Sequence, residues 1–327
     1  MRFGVVGTNF ISKEFLNAGK NLPAFRVTAV CSRTQENAEN YRNGDPEVLC
    51  FTDYGEFLNG PVDAVYIAVP NKYHFSYAKQ ALECGKHVFV EKPACSSAGE
   101  YAALQELAKS RGRILFEGMR TLYTPGFLAV KNSLDRIGTV RQASFSYCQY
   151  SSRYDKFKAG IVENAFDPSL CNGALMDIGV YCCAMAADLF GTPEKIRASA
   201  LKLENGLDAS GIAVLEYPGK IVSISYSKIA DGRIPCEIQG EKGTIVFSPP
   251  TNPKEVRFIG RDRKEEVLYS DPDPEFFGMC HEISAFLDLC GEERDGYNEV
   301  TGKTLSVMDE IRRLSGIDFQ AKERDQK

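Results

Sequence analysis

The chain contains no tryptophan and only three histidines, His74, His87 and His281. They are too scattered to form a metal-ligand cluster, and no Cys-x-x-Cys occurs, so no structural zinc is expected. An excess of basic charge is missing too: 39 Lys and Arg face 44 Asp and Glu, a formal charge of -5. That balance gives no electrostatic reason for nucleic acid or an anionic membrane to be a partner. The longest apolar stretch, Ile178 to Ala187, falls far short of the roughly 20 residues a membrane span needs. Met1-Arg2-Phe3-Gly4 leads directly into a strand, leaving no room for a signal peptide. Eleven cysteines are present, but they are dispersed and odd in number, which reads as reduced thiols rather than a disulfide framework. A cytoplasmic protein is the expectation. No internal repeat or low-complexity segment is evident.

What is present fits a two-domain globular protein. At 327 residues the chain exceeds the usual single-core size, and 43% hydrophobic with 25% charged residues suffices for a substantial core. The organising stretch is Lys86-His87-Val88-Phe89-Val90-Glu91-Lys92-Pro93, a β-branched and aromatic strand that ends in an acid, a base and a proline. Pro93 lacks a backbone donor and pushes the preceding residue out of helical geometry, so the strand stops with Lys92 at its carboxyl end. In open α/β sheets that edge is where ligands bind.

The first third alternates strands and helices. Arg2 to Val6 is a short apolar strand, and Gly7-Thr8-Asn9-Phe10-Ile11-Ser12 is the turn into a helix over Lys13 to Lys20. Such a turn aims backbone N–H groups at a phosphate. Of G-x-G-x-x-G only Gly7 is in place, with Asn9 and Ser12 where the other glycines belong. Asparagine tolerates left-handed backbone, which keeps the turn feasible. A second strand, Arg26 to Cys31, ends in Ser32-Arg33, where an acid would favour NAD and an arginine accommodates a 2′-phosphate. The reading leans to NADP over NAD. Val62 to Val69, apolar on both faces, is a central parallel strand. It ends in Pro70-Asn71-Lys72-Tyr73-His74, where His74 caps a helix or points at a cofactor. Ser97 and Glu100 form a capping box, and Ile114 to Phe116 closes a doubly wound parallel sheet.

Beyond Arg120 the rhythm changes. A helix is expected from Pro125 to about Ile137. Strand-like runs follow at Val140 to Tyr147, Ile196 to Leu203, Ile212 to Tyr217, Ile221 to Tyr226, Cys236 to Gln239, Thr244 to Phe247, Val256 to Ile259 and Glu266 to Tyr269. Short polar turns between them suit antiparallel neighbours. The result is a large, predominantly antiparallel sheet with helices on one face and a partly apolar open face, a common subunit interface. Helices over about Pro274 to Leu289 and Val300 to Ser315 and a disordered tail, Ala321 to Lys327, complete the chain. Within Gly173-Ala174-Leu175-Met176-Asp177-Ile178-Gly179-Val180-Tyr181, Asp177 and Tyr181 share a helix face. An Asp in so apolar a run is costly unless paired or functional.

Taken in order, Gly7-Thr8-Asn9, Pro70-Asn71 with His74, Glu91-Lys92-Pro93 and Gly173 to Tyr181 resemble the Gfo/Idh/MocA oxidoreductases over essentially the full length. The resemblance implies a Rossmann domain over 1–119. It implies a C-terminal α/β domain over 120–327 whose open sheet builds a homodimer or homotetramer. It further implies NADP or NAD as cofactor and hydride transfer at a carbinol carbon of a sugar, polyol or dihydrodiol. Gly7 to Ile11, Ser32, Arg33, Pro70, Asn71 and His74 then contact the cofactor, and Glu91 lies near its nicotinamide ribose. Lys92 matches the family's catalytic lysine and Asp177 its acid. Tyr181 falls where inositol dehydrogenases carry histidine, and tyrosine there resembles the glucose-fructose oxidoreductase and trans-dihydrodiol dehydrogenase branches. Arg120 lies in a segment that faces substrate, and Tyr154, in the polar and aromatic run from Gln149, suits a polyol.

Removing hydride from a carbinol requires a base and a group that stabilises the developing alkoxide. Tyr181 would exchange the proton once a cation lowers its pKa from near 10, and Lys92 can supply that charge or be the base itself. Two other classes fit parts of the sequence. A non-catalytic NADP-binding sensor would explain the eroded glycine motif, and a redox-neutral hydrolase or lyase would reduce and reoxidise its bound NAD in each turnover.

Overall fold

The computed structural model describes residues 1–273, 277–291 and 299–319. The chain forms two compact units, Met1–Gly118 with Gly278–Glu299, and Met119–Phe277 with the chain from Val300.

In the first unit, β1 (Arg2–Val6), β2 (Arg26–Cys31), β3 (Leu49–Phe51), β4 (Ala64–Ile67), β5 (His87–Glu91) and β6 (Leu115–Gly118) build one sheet in the order β3-β2-β1-β4-β5-β6. Every pairing is parallel. The connecting helices are α1 (Phe10–Gly19), α2 (Gln35–Arg42), α3 (Tyr54–Leu58), α4 (His74–Glu83) and α5 (Ala98–Arg111). Strand order reverses between β1 and β4, and at such a switch point a doubly wound sheet opens a crevice at its strand carboxyl ends. Aromatic packing fixes the sheet. Phe15 of α1 stacks on Tyr66 of β4 at 3.7 Å. Phe286, on the helix Met279–Gly291, meets Phe3, Phe89 and Phe116 at 5.7, 5.4 and 5.6 Å between ring centroids. A helix that chain order alone places in the second half thus belongs to the first unit's core, because its aromatic face completes a cluster the sheet leaves open. The three-residue strand β3 is too short to show a period and was not legible as one. At the start of α5, Ser97 Oγ accepts from the Glu100 N–H at 3.3 Å, while the Glu100 carboxylate returns to Ser96, not Ser97. The capping box therefore spans one residue more than the spacing implies.

The second unit carries all eight expected strands: β7 (Val140–Cys148), β8 (Lys195–Lys202), β9 (Asp208–Tyr217), β10 (Lys220–Ser227), β11 (Cys236–Gly240), β12 (Gly243–Ser248), β13 (Glu255–Gly260) and β14 (Glu265–Ser270). Their order is β14-β13-β12-β11-β7-β10-β9-β8. Neighbours are antiparallel except β7 and β10, which pair in parallel. The helices differ from expectation in two places. α6 (Pro125–Asn132) stops before Ser133, and a separate 3-10 turn covers Leu134–Ile137. After the short α7 (Ser152–Lys158), the run from Gly173 is no plain α-helix: a π-turn over Leu175–Gly179 precedes α8 (Val180–Phe190). The helical stretch Pro168–Phe190 spans 23 residues and by length and composition could cross a membrane, longer than the sequence reading allowed. It is a core element, with 78% of its apolar window buried inside the protein. α8 and the π-turn lie against β7 and β10. The opposite sheet face shows Leu201, Ile212 and Ile221 at 55%, 60% and 51% exposure. Beside them, between β7 and β10, runs a ladder of Ser144–Ser223 and Ser146–Ser225 hydrogen bonds, each 2.9 Å. The start of the helix expected from Pro274 and the tail from Ala321 lie outside the described residues.

Candidate active site

At the carboxyl end of β1, Gly7 takes φ +91°, and a Cβ there would strike the Ala68 carbonyl, so the close approach of β1 and β4 admits only glycine. Its N–H donates to the Cys31 carbonyl at 3.1 Å, tying the ends of β1 and β2 together. Asn9 does not use the left-handed conformation expected of it. Its backbone is extended at φ -82°, and it is the N-cap of α1. Its Oδ1 accepts from the Ser12 N–H at 3.2 Å and its Nδ2 donates to the Ala68 carbonyl at 2.9 Å. Asparagine therefore replaces the second glycine by folding its side chain back into the turn. Ser12, in the third glycine's place, is fully buried, with its hydroxyl on Asn9 Oδ1. Phe10 is 69% exposed at the first turn of α1. Thr8 and Ser32 hydroxyls lie 3.3 Å apart, joining the phosphate turn to the end of β2. Arg33 is exposed beside them. Gly7, Thr8, Asn9, Phe10 and Ile11 with Ser32 and Arg33 thus fit a dinucleotide at the switch point. Pro70 and Asn71 open a 3-10 turn at the end of the neighbouring β4.

His74 requires a correction. Its side chain is 1% exposed, and Nδ1 lies 2.9 Å from the Pro93 carbonyl and Nε2 2.8 Å from the Val69 carbonyl. Burial is the larger influence and holds its pKa below the ordinary value, while the two carbonyls pull the other way. It therefore braces the end of β4 against the Lys92-Pro93 loop and presents no ring edge to a bound cofactor. Lys92 is half-buried at the end of β5, followed by a cis peptide to Pro93. The next residue, Ala94, donates its N–H to Glu117 at 2.9 Å. Glu91 is 9% exposed and accepts from the Tyr66 hydroxyl at 2.6 Å. Burial drives the Tyr66 phenol up, so it stays a donor.

In the second unit the π-turn presents Asp177, and Tyr181 follows on the first turn of α8, its ring edge-on to Tyr147 at 5.8 Å. π-turns recur at functional sites. Asp177 Oδ2 forms an ion pair with Lys228 Nζ at 2.8 Å. Asp208, the first residue of β9, is fully buried and accepts from the Leu175 N–H at 2.7 Å, capping the turn. Gly173 has φ +152°, and a Cβ there would fall on the Asp208 carboxylate. Gly179 and Gly211 leave room for the Tyr226 ring. Both glycines of the motif thus accommodate neighbouring side chains. Neither Lys228 nor Asp208 was singled out from sequence. The available signal for Lys228 was period two: Val222, Ile224 and Tyr226 face inward, and Lys228 continues the row. Arg120 lies over the Phe277 ring at 3.9 Å. Tyr154 stacks on Phe157 and Phe166 and lines an open cavity of about 290 Å³ with Lys158, Leu203 and Glu204.

Comparison with known proteins decides the family. Residues 1–119 match the model of an oxidoreductase family with an NAD-binding Rossmann fold, and residues 127–246 match the GFO/IDH/MocA C-terminal domain. A scyllo-inositol 2-dehydrogenase (NADP(+)) of Bacillus subtilis (strain 168) is 40% identical, covering 98% of this chain and 99% of its own. The chain belongs to the Gfo/Idh/MocA family of oxidoreductases. It is an enzyme with a nicotinamide-dinucleotide-binding Rossmann domain. A second relative, the trans-1,2-dihydrobenzene-1,2-diol dehydrogenase of Sus scrofa, is 26% identical over 98% of both chains. The fold of KijD10, a 3-ketoreductase from Actinomadura kijaniata solved with NADP and TDP-benzene, superposes with a TM-score of 0.84. It is 24% identical and covers 96% of this chain and 98% of its own.

Proposed function

We propose that this oxidoreductase is an NADP-dependent dehydrogenase that oxidises a secondary hydroxyl of a cyclic polyol of the inositol class. The observation that carries the reading is the 40% identity, from end to end, to the scyllo-inositol 2-dehydrogenase (NADP(+)). Arg33 at the end of β2, where an acid would favour NAD, supports the cofactor form. When bound, the dinucleotide supplies the hydride acceptor.

The residues would divide the remaining work. Tyr181 takes the hydroxyl proton, and Lys92 places a positive charge on the developing alkoxide. Asp177 accepts a hydrogen bond from a substrate hydroxyl. Arg120 and Tyr154 line the substrate side, residues 1–119 bind the cofactor, and the part of 120–327 that forms the second unit binds substrate. Glu91, held by Tyr66, lies near the nicotinamide ribose. The exposed sheet face with Ile212 and Ile221 supports a homodimer or homotetramer. That all eleven cysteines are free supports a reducing, cytoplasmic setting.

Titration with NADPH and NADH, followed by nicotinamide fluorescence, tests the cofactor, and NADP⁺ reduction with scyllo-inositol and its stereoisomers tests the substrate. Expected are NADPH binding at least about tenfold tighter than NADH, loss of that preference in Arg33→Ala, and turnover of an inositol. Absence of binding by either nucleotide, or of turnover with every cyclic polyol, overturns the reading.

A further inference from the structure

Lys228 is 2% exposed and sits one residue past the end of β10, in the inward register of that strand. A buried ammonium needs a partner for each donor. Here Nζ meets Asp177 Oδ2 at 2.8 Å and the Ala165 carbonyl at 2.8 Å, and it lies 4.9 Å from the centroid of the Phe166 ring. Its backbone N–H donates to the Ala209 carbonyl at 2.9 Å. The lysine is therefore fixed by three segments at once, whereas the Asp177 side chain keeps 33% of its surface exposed. The pair has one end locked in the core and the other at the surface.

The turn that carries Asp177 departs from α-geometry, and its neighbours show how it is held. Asp208 caps it at the Leu175 N–H, and Tyr226 packs between Gly179 and Gly211. We infer that Lys228 is the positioning residue for Asp177, anchoring its carboxylate so that the exposed part is presented to substrate beside Tyr181. The inference rests on the dehydrogenase reading of Asp177. An apolar structural pair would stabilise the unit equally well without a charged strand end reaching the site residue. Among the charged and titratable groups near the pair, Asp208 from β9 acts on Lys228 and in turn on Tyr226 of β10, while Tyr181 follows on the next helical turn with Tyr147 against it.

Lys228→Met and Lys228→Arg test this in the full-length protein, with NADPH binding and circular dichroism as folding controls. With an inositol substrate, Lys228→Met is expected to lose at least about tenfold in kcat with KM and NADPH affinity within about twofold, and its acid limb to move up by about one pH unit. Lys228→Arg, which keeps the charge, leaves the acid limb in place and recovers part of kcat. Carbon-13 NMR of aspartate carboxyls, with Asp177 assigned by the resonance missing in Asp177→Asn, reads the same upward move without any turnover. If wild type turns over no polyol, the dehydrogenase reading fails while the NMR titration still decides the role of Lys228. A folded Lys228→Met with unchanged Asp177 titration and kcat overturns the inference. Should Lys228→Met not fold, Lys228→Gln takes its place, and a folded Lys228→Gln with unchanged Asp177 titration and kcat overturns the inference.

Discussion

At the scale of single residues, the groups that carry charge at strand ends were legible and the groups that hold them were not. Lys92 and Arg33 follow strands whose apolar runs stop abruptly, and both lie at the carboxyl edge of one parallel sheet. Lys228 also ends a strand, but it is buried in an ion pair, because its partner comes from a helix about fifty residues earlier. His74 shows the converse: a polar residue in a promising turn that tertiary packing turned into a brace. The proposed action of Lys92 and Tyr181 on the reacting oxygen makes a residue-scale prediction. Lys92→Met and Tyr181→Phe each lower kcat by about 100-fold or more while NADPH affinity stays within a few-fold. Steady-state kinetics paired with fluorescence titration checks this, and a variant retaining near wild-type kcat removes that residue from the chemistry.

At the scale of elements, the π-turn is the feature that sequence periodicity could not resolve. Leu175 to Gly179 differs from an α-turn by one residue per hydrogen-bonded ring, a change that leaves the apolar pattern intact. The side chain supporting the turn lies on β9, and it has a pH signature. Burial pushes the Asp208 carboxyl up to about 7, with the Leu175 N–H and Lys228 drawing it back. The unfolded value is near 3.9. Between pH of about 4 and 7 the folded chain keeps a proton that the unfolded chain has lost. The Asp208 contribution to stability therefore falls as pH rises through that window, by up to about 1.4 kcal/mol per unit, and is flat above it. Asp208→Asn keeps an acceptor for Leu175 but does not titrate. Thermal melts should show wild type losing stability relative to Asp208→Asn between pH 4 and 7; parallel curves would refute the assignment.

For the whole molecule, the proposed homo-oligomer would be built on the open face of the eight-stranded sheet. Ile212 and Ile221 stand on neighbouring strands amid hydroxyls already paired with one another, so the face offers apolar area with few unmet hydrogen bonds. Ile212→Glu is expected to lower the oligomer mass measured by sedimentation at micromolar concentration while leaving nucleotide binding intact, since a buried unpaired carboxylate opposes association. A wild-type protein that sediments as a monomer rules out the interface. The dihydrodiol-dehydrogenase branch that tyrosine at position 181 resembles is represented among the relatives at 26% identity, alongside a scyllo-inositol 2-dehydrogenase at 40%.

By itself the sequence determined the alternation of strands and helices in the first third, the eight strands of the second sheet, the close-approach Gly7, and the placement of Lys92, Asp177 and Tyr181 on identifiable motifs. These are properties of local periodicity and of residues whose backbone demands are strict, so a linear reading captures them. Only the tertiary structure decided that Asn9 closes the phosphate turn with its own side chain, that Phe286 returns to the first unit, and that Lys228 and Asp208 support the π-turn. Each of these is a contact between segments remote in sequence, selected for Phe286 by the apolar surface the sheet leaves open and for the others by which polar atom needs a partner once water is excluded, and no period along the chain records that choice.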